Sequence, residues 1–191
     1  MIQPLTIPAA GTTEKRFDTD FYVEGFATTF NKPYLLYEYD GVKYYEMIAS
    51  DALVGADMSD VIFQYNHGGK VFARLSNNTL GLEAIDRGLF TFADLSKSRA
   101  AKDMYEEISN GLITKMSWAF TVKEDSYDRD THTRTILKVK KVYDVSAVSI
   151  PANADTDISA RSYFDGVIER EQKERLQRRQ QLLKIKLMME G

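Results

Sequence analysis

Asn110-Gly111-Leu112-Ile113-Thr114-Lys115-Met116-Ser117-Trp118-Ala119-Phe120-Thr121-Val122 is the stretch on which the fold of this chain turns. Asn-Gly reads as a helix stop, because glycine takes the left-handed backbone of a C-terminus without steric cost. After it the residues alternate as in a strand, predicted over 112–123. Met116, Trp118, Phe120 and Val122 share one face, and Ser117, Ala119 and Thr121 share the other. A small hydroxyl therefore stands among large apolar residues just past a sharp turn. If Ser117 is a nucleophile, the chain is an enzyme. If it is a structural strand serine, the sequence describes a β-rich domain and little more.

Upstream, Ala101, Met104, Tyr105 and Ile108 recur at helical spacing, with Ser96 as a cap, which predicts a helix to about Ser109. Before it lie short strand-like runs: 21–30, 34–39, 42–47, 61–67, 71–75, 79–85 and 89–93. Asp40-Gly41 between two aromatic-rich runs is a hairpin signal. Ser50 to Leu53 resembles a short helix start. In the run ending at His67, Val61, Phe63, Tyr65 and His67 share a face. Downstream, 124–133 reads as a polar, turn-rich connection and 134–150 as a long strand region closing on Pro151-Ala152-Asn153.

Three segments are expected: a flexible N-terminal arm over 1–20, a main domain over 21–160, and a C-terminal helix over 161–191. The last has eight basic against five acidic residues, a balance of +3 that leaves −6 for residues 1–160. Leu176 and Leu183 are seven apart, but Gln172, Arg175 and Arg179 spoil the heptad seam, so it reads as a partner-binding or oligomerising helix. Many short strands with few helices predict a β-rich α+β chain, a closed or curled antiparallel β barrel with peripheral helices plus this C-terminal helix.

Composition narrows the chemistry. The 191 residues hold no cysteine, which excludes a thiolate nucleophile, a disulfide scaffold and Cys-ligated zinc. With His67 and His132 alone, a histidine-rich metal cage is not expected, nor is any cofactor. A net charge of −3 gives no nucleic-acid signature, and no apolar run reaches the length of a membrane span. Met1-Ile2-Gln3-Pro4 lacks the charged and apolar regions of a signal peptide, so a cytosolic product is expected.

A serine nucleophile needs a base to remove its proton as it attacks. His67 closes an apolar strand and precedes Gly68-Gly69, which allow close approach, whereas His132 lies in a polar turn. His67 is therefore the candidate base. An imidazole base in turn needs an acceptor on its other nitrogen. Asp144, in Val142-Tyr143-Asp144-Val145-Ser146, is a carboxylate among strand hydrophobes and is costly there unless paired. On residue types alone, a strand serine or a strand-end histidine is more often structural than catalytic.

The order of these residues resembles the tailed-phage prohead protease family of the HK97 type. The resemblance rests on Phe63-Gln64-Tyr65-Asn66-His67, Ala73-Arg74, Gly88-Leu89, Gly111 to Phe120, and Asp144-Val145-Ser146-Ala147-Val148-Ser149-Ile150-Pro151-Ala152. It covers about residues 21 to 161, including Val23-Glu24-Gly25-Phe26-Ala27. It implies a serine endopeptidase related in fold to herpesvirus assembly proteases, with Ser117 as nucleophile, His67 as base and Asp144 orienting the base. The family commonly has glutamate at the third position, one methylene longer, and His132 is the alternative third member. Gly68 departs from the family's Asn-His-Asp.

The resemblance further implies action in the host cytoplasm, inside the immature capsid, on the scaffold segment of the major capsid protein and on the protease itself, with a possible homodimer. No nucleic acid or membrane partner is implied. The rival is a catalytically silent capsid-assembly scaffold or binding module on the same fold, and a third possibility is a peptidase acting on host proteins. Arg74 and Arg134 are candidate oxyanion donors, with Arg74 better read as a surface strand cation.

Overall fold

The computed structural model describes residues 5–6, 15–149 and 170–182. In chain order the strands are β1 (Leu5–Thr6), β2 (Tyr22–Thr29), β3 (Tyr34–Tyr39), β4 (Val42–Ile48), β5 (Ile62–Tyr65), β6 (Gly68–Arg74), β7 (Leu80–Ile85) and β8 (Gly88–Asp94). Helix α1 (Arg99–Ser109) follows, then the long hairpin of β9 (Lys115–Asp128) and β10 (Thr133–Val148). A second helix, α2, spans 170–182. The described residues up to 149 fall in one compact unit and α2 in another. No described helix is long and apolar enough to cross a membrane.

The expected closed or curled antiparallel barrel does not form. Two open sheets take its place: an antiparallel sheet in the order β1-β2-β8-β7 and a mixed sheet in the order β3-β4-β10-β5-β6, with β9 also paired to β10. The cause lies in β10, which takes two parallel partners: β4 along 133–136 and β5 along 144–147. A barrel of chain-neighbour hairpins needs each strand to pair antiparallel with the next. Here β2 leaves β3 and pairs with β8, while β4 crosses to β10. An isolated bridge, Phe30 with Ile48, links the ends of β2 and β4.

Local chemistry accounts for the elements. Asp40 and Gly41 both have positive φ, 48° and 75°, as the tight β3–β4 turn requires. Helix α1 is capped by Ser98, whose hydroxyl accepts from Ala101 N–H at 3.1 Å, and not by Ser96. Its end is a two-bond stop: Gly111 N–H reaches Ile108 O at 3.0 Å and Leu112 N–H reaches Glu107 O at 2.9 Å. Gly111 sits at φ 73°, where a side chain would be strained. Residues 51–55 form turns rather than the expected helix start. β9 begins at Lys115 and runs on to Asp128, through the first half of the segment expected as a turn-rich connection.

The apolar faces of both sheets and of α1 share one core. Val23, Ala27, Leu89 and Ala93 come from one sheet, Phe63, Met116, Val142 and Val145 from the other, and Ala101, Met104 and Ile108 from the helix. Within the expected N-terminal arm, Leu5 and Thr6 pair with Gly25 and Glu24. The closing Pro151-Ala152-Asn153 and the flanks of the C-terminal helix, 161–169 and 183–191, lie outside the described residues.

Candidate active site

The β9–β10 register places Ser117 directly opposite Ser146, and Ala119 opposite Asp144. Residues opposite each other share a sheet face, with Cβ atoms about 5 Å apart. Ser117, Ala119, Asp144 and Ser146 are therefore on one face. Trp118 and Phe120, stacked at 4.1 Å, are on the other, opposite Val145 and Val142. Val142 and Val145 are three residues apart, so strict alternation would split them. A register shift between Val142 and Asp144 inserts the exposed Tyr143 and restores the phase. This bulge lets both valines enter the core while Asp144 turns to the serine face.

His67 does not lie within a strand. Tyr65 pairs with Gly68, and between them Asn66 and His67 form a two-residue turn with φ of 46° and 55°. Two successive left-handed residues fit a hairpin turn, but glycine is the usual second residue, and a histidine there costs roughly 1 kcal/mol. Bonds to the end of β10 hold the turn. Asn66 N–H donates to Ala147 O at 3.0 Å, and His67 N–H donates to the Ser146 hydroxyl at 3.2 Å. Asn66 Oδ1 accepts from Ser149 N–H at 3.2 Å, and its Nδ2 donates to Ser149 Oγ at 3.3 Å.

So held, His67 Nδ1 lies 2.8 Å from Asp144 Oδ1. The side chains are 13% and 7% exposed, which shields the pair from competing water. A carboxylate only accepts, so in this pairing Nδ1 carries the proton and a neutral ring presents its lone pair at Nε2. The same Asp144 Oδ1 accepts from Ser146 Oγ at 2.7 Å. The structure thus joins His67 to Asp144 and brings Ser117 into register beside Ser146. Among the described residues, Ser117 Oγ makes no hydrogen bond to His67. In unliganded enzymes that contact is often long and closes only with substrate.

The other sequence candidates lie elsewhere. His132 sits at the opposite end of β10, its Nδ1 2.9 Å from Tyr127 Oη and its ring 5.1 Å from Tyr44. Arg134, also at that end, is paired to Asp125 at 2.8 Å and Glu46 at 3.4 Å. Arg74 is a half-exposed strand cation that grips Asp60 with two nitrogens, at 2.8 and 2.7 Å. The bond to Asp60 raises the Arg74 pKa, and the bond from Arg74, followed by one from Ser76, lowers Asp60 to about 2. Among the described residues no cluster of three or more His, Asp or Glu is placed to hold a metal ion.

Three residues of this arrangement stood in the motifs of the resemblance without a role in the site: Ser146, Asn66 and Ser149. The signal for Ser146 was present. It stands two residues from Asp144 on a strand, hence on the same face, and a buried hydroxyl there needs a partner. The Asn66–Ser149 clamp carried no such signal, because it depends on β5 lying parallel to β10.

A family model described as caudovirus prohead serine protease matches residues 10–169 of this chain. No curated protein and no solved structure matches it.

Proposed function

The chain belongs to the caudovirus prohead serine protease family and is a capsid maturation protease, and from that premise we propose that Ser117, His67 and Asp144 are its hydrolytic centre. The observation that carries the assignment is the 2.8 Å contact between His67 Nδ1 and Asp144 Oδ1 on the face that bears Ser117. Ser117 Oγ attacks the scissile carbonyl carbon while His67 Nε2 takes its proton. Asp144 fixes the imidazole tautomer and stabilises the imidazolium. The tetrahedral intermediate collapses, His67 passes the proton to the leaving amine, and water then hydrolyses the acyl-enzyme through the same base.

The substrate is the scaffold segment of the major capsid protein, and the chain cleaves itself as well. Its place of action is the prohead in the host cell. The helix within 161–191 is the targeting or assembly element. Its described part, 170–182, has five basic against two acidic residues, and Leu176 and Leu182 are exposed. An exposed basic helix with apolar positions suits docking on scaffold helices.

The test is intact mass of the purified chain over time, beside Ser117→Ala, with the major capsid protein as substrate. The parent chain is expected to cleave itself and the scaffold segment, and the variant to cleave neither. Identical truncation of both would remove Ser117 from the nucleophile role. A chain ending at residue 160 is expected to keep peptide hydrolysis and to lose incorporation into proheads.

A further inference from the structure

Ser146 is fully buried, at 0% exposure, yet its hydroxyl touches both members of the His67–Asp144 pair. A hydroxyl has one proton and two lone pairs. The proton goes to Asp144 Oδ1 at 2.7 Å, and a lone pair receives His67 N–H at 3.2 Å. Of the two serines facing each other across β9 and β10, Ser146 is thus the one whose proton is committed.

We propose that Ser146 is a positioning residue that ties the backbone of the base to the carboxylate that orients it. The inference rests on the assignment of His67 and Asp144 to the hydrolytic centre. Each end of their bond has a freedom that a third group restrains. The carboxylate turns about a broad, nearly two-fold torsion. The imidazole hangs from a left-handed residue, φ 55°, in a turn that other residues occupy more easily. One hydroxyl fixes both, because it grips the Asp144 oxygen that His67 uses and the His67 amide itself. It does so from a strand position two residues past Asp144, so the geometry is set by β10 and not by a loop.

The experiment uses a fluorophosphonate, which reports activation of a serine without knowledge of the peptide sequence cleaved. The full chain is labelled, the modified residue located by peptide mass, and the second-order rate followed against pH. Ser146→Ala and Ser146→Cys should label Ser117 more slowly by on the order of 10- to 100-fold, the cost of a base held out of line. Ser146→Thr, which keeps the hydroxyl, should recover most of the rate. The acidic limb of the pH profile should move in the Ala and Cys variants. It should stay in place in Asp51→Asn, a control at the remote pair with Lys138.

Thermal midpoints check folding, and a Ser146→Ala chain that does not fold leaves the near-isosteric Cys variant to decide. A folded Ala or Cys variant with parental rate and profile overturns the role of Ser146. So does a folded Thr variant as slow as the Ala variant. Failure of the underlying assignment looks different. There the parent chain is not labelled at Ser117, or His67→Ala labels as fast as the parent, and the inference about Ser146 falls with it.

Discussion

Strand β10 carries a buried polar cluster at each end, and the two ends are built differently. Near its start Arg134 lies between Asp125 and Glu46, and Glu46 also takes the hydroxyl of Tyr34. His132 stands beside them against Tyr127 and Tyr44. Some ten residues on, about 30 Å along the strand, Asp144 meets His67 and Ser146. Each end has one histidine, and both histidines have left-handed backbone, φ 49° and 55°. At the first end, carboxylates meet a guanidinium, which never gives up its proton. At the second, a carboxylate meets an imidazole, which can. Burial and charge alone do not mark a site; a partner whose proton can move does.

Exchanging the roles of the two histidines is the largest test of that contrast. His67→Ala should lower hydrolysis by about 10⁴-fold or more, as loss of a base does in a serine–histidine–acid site. His132→Ala should leave turnover near the parental value and show itself only as a lower thermal midpoint, because it loses contacts with Tyr127 and Tyr44. Equal losses from both would mean that the contrast drawn from their partners is false.

Glu46 tests the other side. Its side chain is 1% exposed and that of Arg134 is 8% exposed. Truncating Glu46 to Ala leaves a buried guanidinium that keeps Asp125 and loses its second carboxylate, a change expected to cost about 1–3 kcal/mol. The expected result is a large drop in denaturant midpoint with activity per folded molecule retained. Asp144→Ala should show the reverse emphasis, with turnover reduced by orders of magnitude. If Glu46→Ala kept its stability and lost turnover, the first end would belong to the chemistry.

Which parts of this were legible in the sequence follows from the range of each signal. Asp40-Gly41 specifies its turn by itself, and Asn110-Gly111 its helix stop, because both depend on φ at one or two residues. The face shared by Met116, Trp118 and Phe120 needs only period two. A buried Asp144 needs a partner whatever the fold, and the structure supplies His67. Strand partners are another matter. Period two says which face is apolar and not which strand lies alongside, so the parallel pairs of β10 with β4 and β5 left no local mark, and the expected barrel closed strands that stay open. The His67 turn was hidden for a related reason. Tyr65-Asn66-His67-Gly68 lacks the glycine that usually announces a tight hairpin, and the bonds that hold it come from Ser146, Ala147 and Ser149, about 80 residues away.

The smallest effect expected is at Arg74, and it sharpens the contrast most narrowly. Arg74 is opposite Ile62, which is itself beside Asp144, so it is the guanidinium nearest in register to the His67–Asp144 end, as Arg134 is at the other. An oxyanion donor is worth about 10²–10³-fold in turnover. Arg74 instead turns Nε and Nη2 to Asp60, whose carboxyl it lowers, with Ser76, to about 2 from an ordinary value near 4. A carboxyl lowered by folding contributes stability that is complete above about pH 4 and is lost as pH falls through about 2. Arg74→Gln and Asp60→Asn should therefore lower the thermal midpoint slightly at neutral pH, and the gap to the parent should close between pH 4 and 2. Neutral-pH turnover should not change in either variant. A hundredfold loss in Arg74→Gln alone, with Asp60→Asn active, would make Arg74 an oxyanion donor and the two ends of β10 alike in their use of arginine.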